Sequence, residues 1–146
     1  MKVILVMVES ADGKTTFWRE PEVYGWSSHE DRKHFQTLRD SSPVVVMGKD
    51  TYESVKQTLI LSARTRRIVL TRNPQIYESS MVPGQLEFTD ESPKALVERL
   101  ENEGYPSLLL VGGSIVNKGF VSEHLISECY ITIEPKFFGT GKSIFD

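Results

Sequence analysis

Two aliphatic runs in this chain stop at glycine, and the residues that follow each could hold an anion. They are VVVMGKDTYES, positions 44–54, and SLLLVGGSIVNKG, positions 107–119. A glycine at the end of a strand lets backbone N–H groups reach a ligand with no side chain in the way. Where a helix starts at that point, its unpaired N–H groups and its dipole favour a phosphate. Gly48 and Lys49 in the first run, and Gly112 and Gly113 in the second, are therefore candidate phosphate-holding positions. Two such turns suit a long, multiply phosphorylated molecule such as a dinucleotide. A tight strand-to-helix turn with no ligand accounts for the paired glycines equally well. The spacing of Gly112, Gly113 and Gly119 is not G-x-G-x-x-G, so any nucleotide site is of another kind. GTGKS at 139–143 resembles the end of a P-loop. Lys136 stands where that pattern needs glycine, and three further residues cannot form the helix it requires. It reads as a glycine-rich loop.

Charged and aromatic residues each carry two readings. Asp31 falls in the first turn of a predicted helix, where a carboxylate is favourable for electrostatic reasons alone. It could equally face a pocket and hydrogen-bond a substrate N–H or relay a proton. Lys49 and Arg72 follow predicted strands, as phosphate-binding cations or as solvated surface charges. Trp18 and Trp26 read as core or lid packing, and Cys129 as a buried structural thiol. His29, His34 and His124 show no metal-ligand spacing, so no metal is expected.

The elements that must position these groups can be read from pattern. Lys2 to Glu9 is a buried opening strand, and SADGK (10–14) is turn chemistry around Asp-Gly. Ser27 with Glu30 forms a capping box, opening a helix to about Arg39. Strands are expected at Val44–Met47, Arg67–Thr71, Leu86–Phe88, Leu108–Val111 and Ile126–Glu134. Helices are expected over Asp50–Gln57, from Ser92-Pro93 to Gly104, and from the Gly112-Gly113 turn to Val121. Continuous Val/Leu runs are the habit of parallel strands covered on both faces. The expectation is an α/β chain with a mostly parallel sheet and an antiparallel last strand.

Composition narrows the function classes. A chain of 146 residues is the size of one domain with a real core, so a single domain over 1–146 is expected. Its net charge of −3 offers no basic surplus for nucleic acid or acidic membranes. No apolar stretch reaches membrane-span length, no secretory signal is visible, and one cysteine permits no internal disulfide. The expectation is a cytoplasmic protein acting on a small molecule, with neither nucleic acid nor membrane as partner.

Together these motifs resemble the dihydrofolate reductase-like superfamily across nearly the whole chain. VMGKDTYES is similar to the segment M-G-R-x-T-[WY]-E-S, which there ends a strand and starts a cofactor-binding helix. RIVLTRNP resembles the next strand, whose last polar residues hold the adenosine end of NADPH. LLLVGGSIV resembles the turn whose glycines lie against the nicotinamide and pyrophosphate. MVESADGK and LISECYITIEPKFFGTGKSIF are similar to the reductase domain of riboflavin-biosynthesis deaminase–reductases. The order Trp26, Asp31, Phe35 is instead similar to the helix of dihydrofolate reductase that carries the pterin-binding carboxylate.

The resemblance implies a three-layer α/β/α fold and an NADPH-dependent oxidoreductase. It implies cofactor contacts at Gly48, Lys49, Thr51, Thr71, Arg72, Gly112, Gly113, Ser114 and Ile115, with Arg72 and Lys49 meeting the 2′-phosphate. Asp31 is the implied catalytic residue, and Val8, Ser10, Asp12 and Lys14 border the substrate. The implied substrate is first a 5-amino-6-(5-phosphoribosylamino)uracil-type compound of riboflavin biosynthesis, and second dihydrofolate. A non-catalytic nucleotide-binding module is the rival reading. Family members continue past the glycine-rich loop with a further strand or hairpin. The resemblance thus implies either a sheet lacking that strand or one completed by another chain or segment, and a homodimer is expected.

Overall fold

The computed structural model describes residues 1–16 and 25–146; Trp18 lies outside the described residues. Strands β1 (Lys2–Ser10), β2 (Val44–Gly48), β3 (Arg66–Leu70), β4 (Leu86–Thr89), β5 (Ser107–Leu110) and β6 (Glu128–Glu134) form one sheet, ordered β4-β3-β2-β5-β1-β6. Between them run helices α1 (His29–Asp40), α2 (Lys49–Val55), α3 (Pro93–Asn102) and α4 (Ser114–Ser122). A seven-residue 3-10 segment, Pro74–Ser80, occupies part of what reads in the sequence as a polar loop.

Successive strand residues point to opposite faces, and here both faces are covered. Val44, Val46, Ile68, Leu108 and Leu110 pack with Leu96 and Leu100 of α3 and Phe120 of α4. Val45, Met47, Val69 and Leu109 pack with Tyr52 of α2, with Phe35 and Leu38 of α1 against them. The result is the expected three-layer α/β/α arrangement around a parallel sheet. Each fully buried leucine contributes about 1.5–3 kcal/mol, so the strands are held far more by their helices than by propensity.

Helix starts follow local chemistry. Ser92 caps α3 by accepting the Ala95 N–H at 3.2 Å, with Pro93 first in the helix. The cap of α1 is Ser28 rather than Ser27: its hydroxyl accepts the Asp31 N–H at 3.1 Å. That shift of one residue puts Asp31, not Glu30, at the third helical position.

The last strand is not antiparallel. β6 runs parallel to β1, with Ile4 opposite Glu128 and Ser10 opposite Glu134. The cause is α4, which carries the chain back to the starting end of the sheet, so the strand after it runs the same way. All five strand pairings among the described residues are parallel. β6 is an edge strand, and Cys129 on it is exposed rather than buried.

The order of strands fixes where a ligand can sit. The chain moves outward from β2 through β3 to β4, then returns to place β5 between β2 and β1. Open α/β sheets bind ligands beyond the carboxyl ends of their strands, where the connections diverge. Here that point lies between β2 and β5, which end in the two glycine turns.

Candidate functional site

The two turns touch. The Gly48 N–H donates to the Gly112 carbonyl at 2.7 Å, and the Val111 N–H donates to Val46 at 3.0 Å. Gly112 has φ of +101°, a conformation suited to glycine, and a cis peptide joins it to Gly113. A side chain would clash at Gly48 and fit only tightly at Gly112. A Cβ on Gly48 would stand 2.8 Å from Val116 Cγ2, and one on Gly112 would stand 3.3 Å from Met7 Sδ. Thr51 Oγ1 lies across from Gly113, 3.5 Å from where a Cβ would be. The N-cap of α4 is Gly113, and no side chain caps that helix. Its first N–H groups are therefore left for water or an anion.

A cleft of about 1330 Å³ opens over these turns. Its wall includes Gly48, Lys49 and Thr51 after β2, Thr71 and Arg72 after β3, and Gly113, Ser114 and Ile115 after β5. Val8 and Asp31 line it too. Gly112 stands just behind, joined through its carbonyl to Gly48. The structure thus gathers most of the cofactor positions named from the sequence around one space. Lys49 pairs with Asp50 at 3.2 Å, while Arg72 is exposed and makes no ion pair among the described residues. The Ser114 hydroxyl is occupied, donating to the Ser143 carbonyl at 2.6 Å. Only its backbone N–H remains for a ligand.

Asp31 is buried in the cleft wall, and its carboxylate has no hydrogen-bond partner among the described residues. Its N–H donates to the Ser28 cap at 3.1 Å, and its carboxylate, in the first turn of α1, faces the cleft.

Ser10, Asp12 and Lys14 are not brought to the cleft wall. Ser10 is fully buried; its hydroxyl donates to Asp12 Oδ1 at 2.6 Å and accepts the Lys14 N–H at 2.9 Å. Asp12 accepts the Phe138 N–H at 3.1 Å and the Gly139 N–H at 2.8 Å. These bonds to its carboxylate, the Ser10 hydroxyl foremost, lower its pKa to about 2.

One residue of the wall escaped the sequence reading. Arg67 on β3 lines the cleft, is only 6% exposed, and has a buried Nη1 without a hydrogen-bond partner. Burial, followed by the nearby Arg39 charge, lowers its pKa, and Asp40 partly offsets this. A desolvated guanidinium with unused donors is suited to a phosphate or carboxylate. The one sequence signal was parity: Arg67 falls on the same face of β3 as Val69, the face that α1 and α2 cover in the structure.

The family described as the RibD C-terminal domain matches residues 1–146. The chain is 28% identical over 141 residues to "Uncharacterized protein YwjB" of Bacillus subtilis (strain 168), covering 95% of this chain and 75% of that protein. In fold it resembles a putative riboflavin biosynthesis protein from Shewanella sp. PV-4, with TM-score 0.78, 22% identity, and coverage of 100% of this chain and 84% of that one. It also resembles a diaminohydroxyphosphoribosylaminopyrimidine deaminase/5-amino-6-(5-phosphoribosylamino)uracil reductase from Thermotoga maritima, with TM-score 0.77 and 21% identity. That match covers 99% of this chain but 47% of the longer protein, so the likeness is to about half of it.

Proposed function

The chain belongs to the RibD C-terminal domain family, and from that premise we propose that it is an NADPH-dependent reductase of a 5-amino-6-(5-phosphoribosylamino)uracil-type substrate. One observation carries the reading: the two bare glycine turns and the buried Arg67 open into the same cleft. The turns fit a pyrophosphate because a Cβ would clash at Gly48 and crowd Met7 at Gly112, and α4 has no side-chain cap.

The amides of Gly112, Gly113 and Ser114 hold the pyrophosphate from one side, and those of Lys49 and Thr51 from the other, while Gly48, its own N–H given to Gly112, lets the ligand come close. Arg72, with Lys49, meets the 2′-phosphate, the basis for NADPH over NADH. Thr71 borders the adenosine end, and Ile115 and Val8 supply apolar wall. A bound reduced nicotinamide supplies the hydride. The protein's part is to align the ribosyl C1′ with it and to exclude water. Opening the sugar at C1′ releases an oxygen that must take up one proton. Asp31 anchors the pyrimidine through its N–H groups or hands on a proton, and Arg67 takes the substrate phosphate.

A second reading, reduction of a dihydropterin, is favoured by the free, buried Asp31 carboxylate, which suits a pterin's adjacent N–H groups. NADPH oxidation followed with the pyrimidine substrate and then with dihydrofolate separates the two. Turnover of the first alone is expected. NADPH binding with neither turned over points to a non-catalytic module, and absence of NADPH binding defeats every version. Asp31→Asn is expected to lower kcat by about 10²–10⁴-fold while leaving the Kd for NADPH within about twofold; unchanged turnover returns Asp31 to helix capping alone.

A further inference from the structure

The turn after β1 has chemistry that the cleft does not use. Ser10, Asp12 and Lys14 stand off its wall, yet each carboxylate oxygen of Asp12 accepts a backbone amide more than a hundred residues away, and Oδ1 also accepts the Ser10 hydroxyl. Those amides belong to the segment Lys136–Ile144, which lies along residues 11–16 like a strap. Ala11 N–H donates to the Lys136 carbonyl at 2.8 Å, and Thr15 N–H to the Lys142 carbonyl at 2.7 Å. In return the Lys142 N–H donates to Thr16 Oγ1 at 3.1 Å. Close packing confines the strap further, since a Cβ on Gly141 would overlap the Thr16 carbonyl oxygen.

The far end of the strap grips α4. The Ser143 carbonyl accepts the Ser114 hydroxyl at 2.6 Å, and the Ile144 carbonyl accepts Asn117 Nδ2 at 3.0 Å. Asn117 is fully buried, and Ile144 sits in the core beside Phe120. The first turn of α4 is therefore tied to the strap at two points, and between Lys136 and Lys142 the strap is tied by backbone bonds to Ala11 and Thr15 and by one carboxylate, that of Asp12. Because Ser10 fixes that carboxylate from behind, it is preorganised rather than free to follow the strap.

We propose that Asp12 is a positioning residue: by pinning Phe138 and Gly139 it sets the strap, which in turn sets where the first turn of α4 stands against Gly48. This rests on the reading that the α4 amides hold the cofactor. It assigns Asp12 to cofactor geometry instead of to the substrate.

The test is a double-mutant cycle between Asp12→Ala and Ser114→Ala, the second removing the hydroxyl link to the strap while keeping the backbone N–H. Each single variant is expected to raise KM for NADPH about tenfold, with kcat at saturation nearly unchanged in Asp12→Ala, and the double variant to be little worse than either. Asp12→Asn, which keeps one acceptor oxygen, is expected to recover part of the loss. A purely structural Asp12 would instead lower kcat with the folded fraction and leave KM alone, and that result overturns the proposal. So does strict additivity in the cycle. Hydrogen exchange in the free protein at the Asn117 amide, which donates to the Gly113 carbonyl at 2.9 Å, and at the α4 amides after it decides the matter without any cofactor. Faster exchange in Asp12→Ala is expected, and unchanged exchange overturns the link. If the wild type binds no NADPH, the proposed function fails, while the exchange result still judges the strap.

Discussion

The turns that follow β1 and β5 leave the sheet at the same end, and they use opposite means. The turn after β1 is full of hydrogen-bonding side chains, and it consumes them internally: Ser10, Asp12 and Thr15 all bond to the protein itself. The turn after β5 is two glycines followed by an uncapped helix, and it leaves its amides unspent. The contrast teaches that polar side chains in a turn are no sign of a ligand. What counts is donor capacity left over after the fold has satisfied itself.

The comparison breaks most readily at Gly112. Gly112→Ala forces a non-glycine residue into positive φ and pushes against Met7. The expected loss is about 2–4 kcal/mol in urea unfolding, combining backbone strain with overpacking, and NADPH binding should weaken with it. Gly13→Ala, in the other turn, also has positive φ but meets nothing within 4 Å. Only the strain of about 1–2 kcal/mol is expected there. Equal losses at the two sites would mean that close packing does not distinguish them.

Arg67→Met sharpens the contrast between the two ends of the cleft. It should raise KM for a phosphorylated substrate by about tenfold or more, as expected for losing a charged hydrogen bond of roughly 1.5–3 kcal/mol, and leave the Kd for NADPH unchanged. A rise in the NADPH Kd instead would place the cofactor at the arginine end.

The smallest effect concerns acid. The Asp12 carboxylate is held at about 2, below its ordinary value of 3.8. A depressed carboxylate stabilises the fold fully above the ordinary value, and that contribution is lost as pH falls toward the folded one. The wild type should therefore lose part of its stability between those two pH values, and Asp12→Asn should lack that component. Identical acid profiles would show that the β1 turn does not hold the strap through charge.

The sequence made much of this legible because it is local. Strand and helix positions matched within about two residues, since Val44–Met47 and Leu108–Leu110 are continuous aliphatic runs and Ser92-Pro93 is a cap that bonds its own helix. What was missed is nonlocal. The direction of β6 depends on how α4 crosses the sheet, which no property of ECYITIE encodes. The partners of Asp12 lie on a segment 126 residues away. Arg67 looks like an ordinary polar start to a strand until α1 is laid over it. Ser28 displaced Ser27 as cap because the two serines are chemically alike and only the turn geometry selects between them.

The late insertion of β5 has a consequence for how the chain comes to be folded. Until residues 107–110 arrive, β1 and β2 have no direct neighbour relation, and each presents a bare row of amides and carbonyls toward the other. The pairings among these six strands are all parallel, so none of them forms an early-zipping hairpin, and such topologies assemble slowly. A nascent chain leaving the ribosome would stay open down its middle until then, exposed to wrong pairings and to chaperones. Only the edge strand β6 is laid after this gap is filled, and the cleft opens at the gap's carboxyl end.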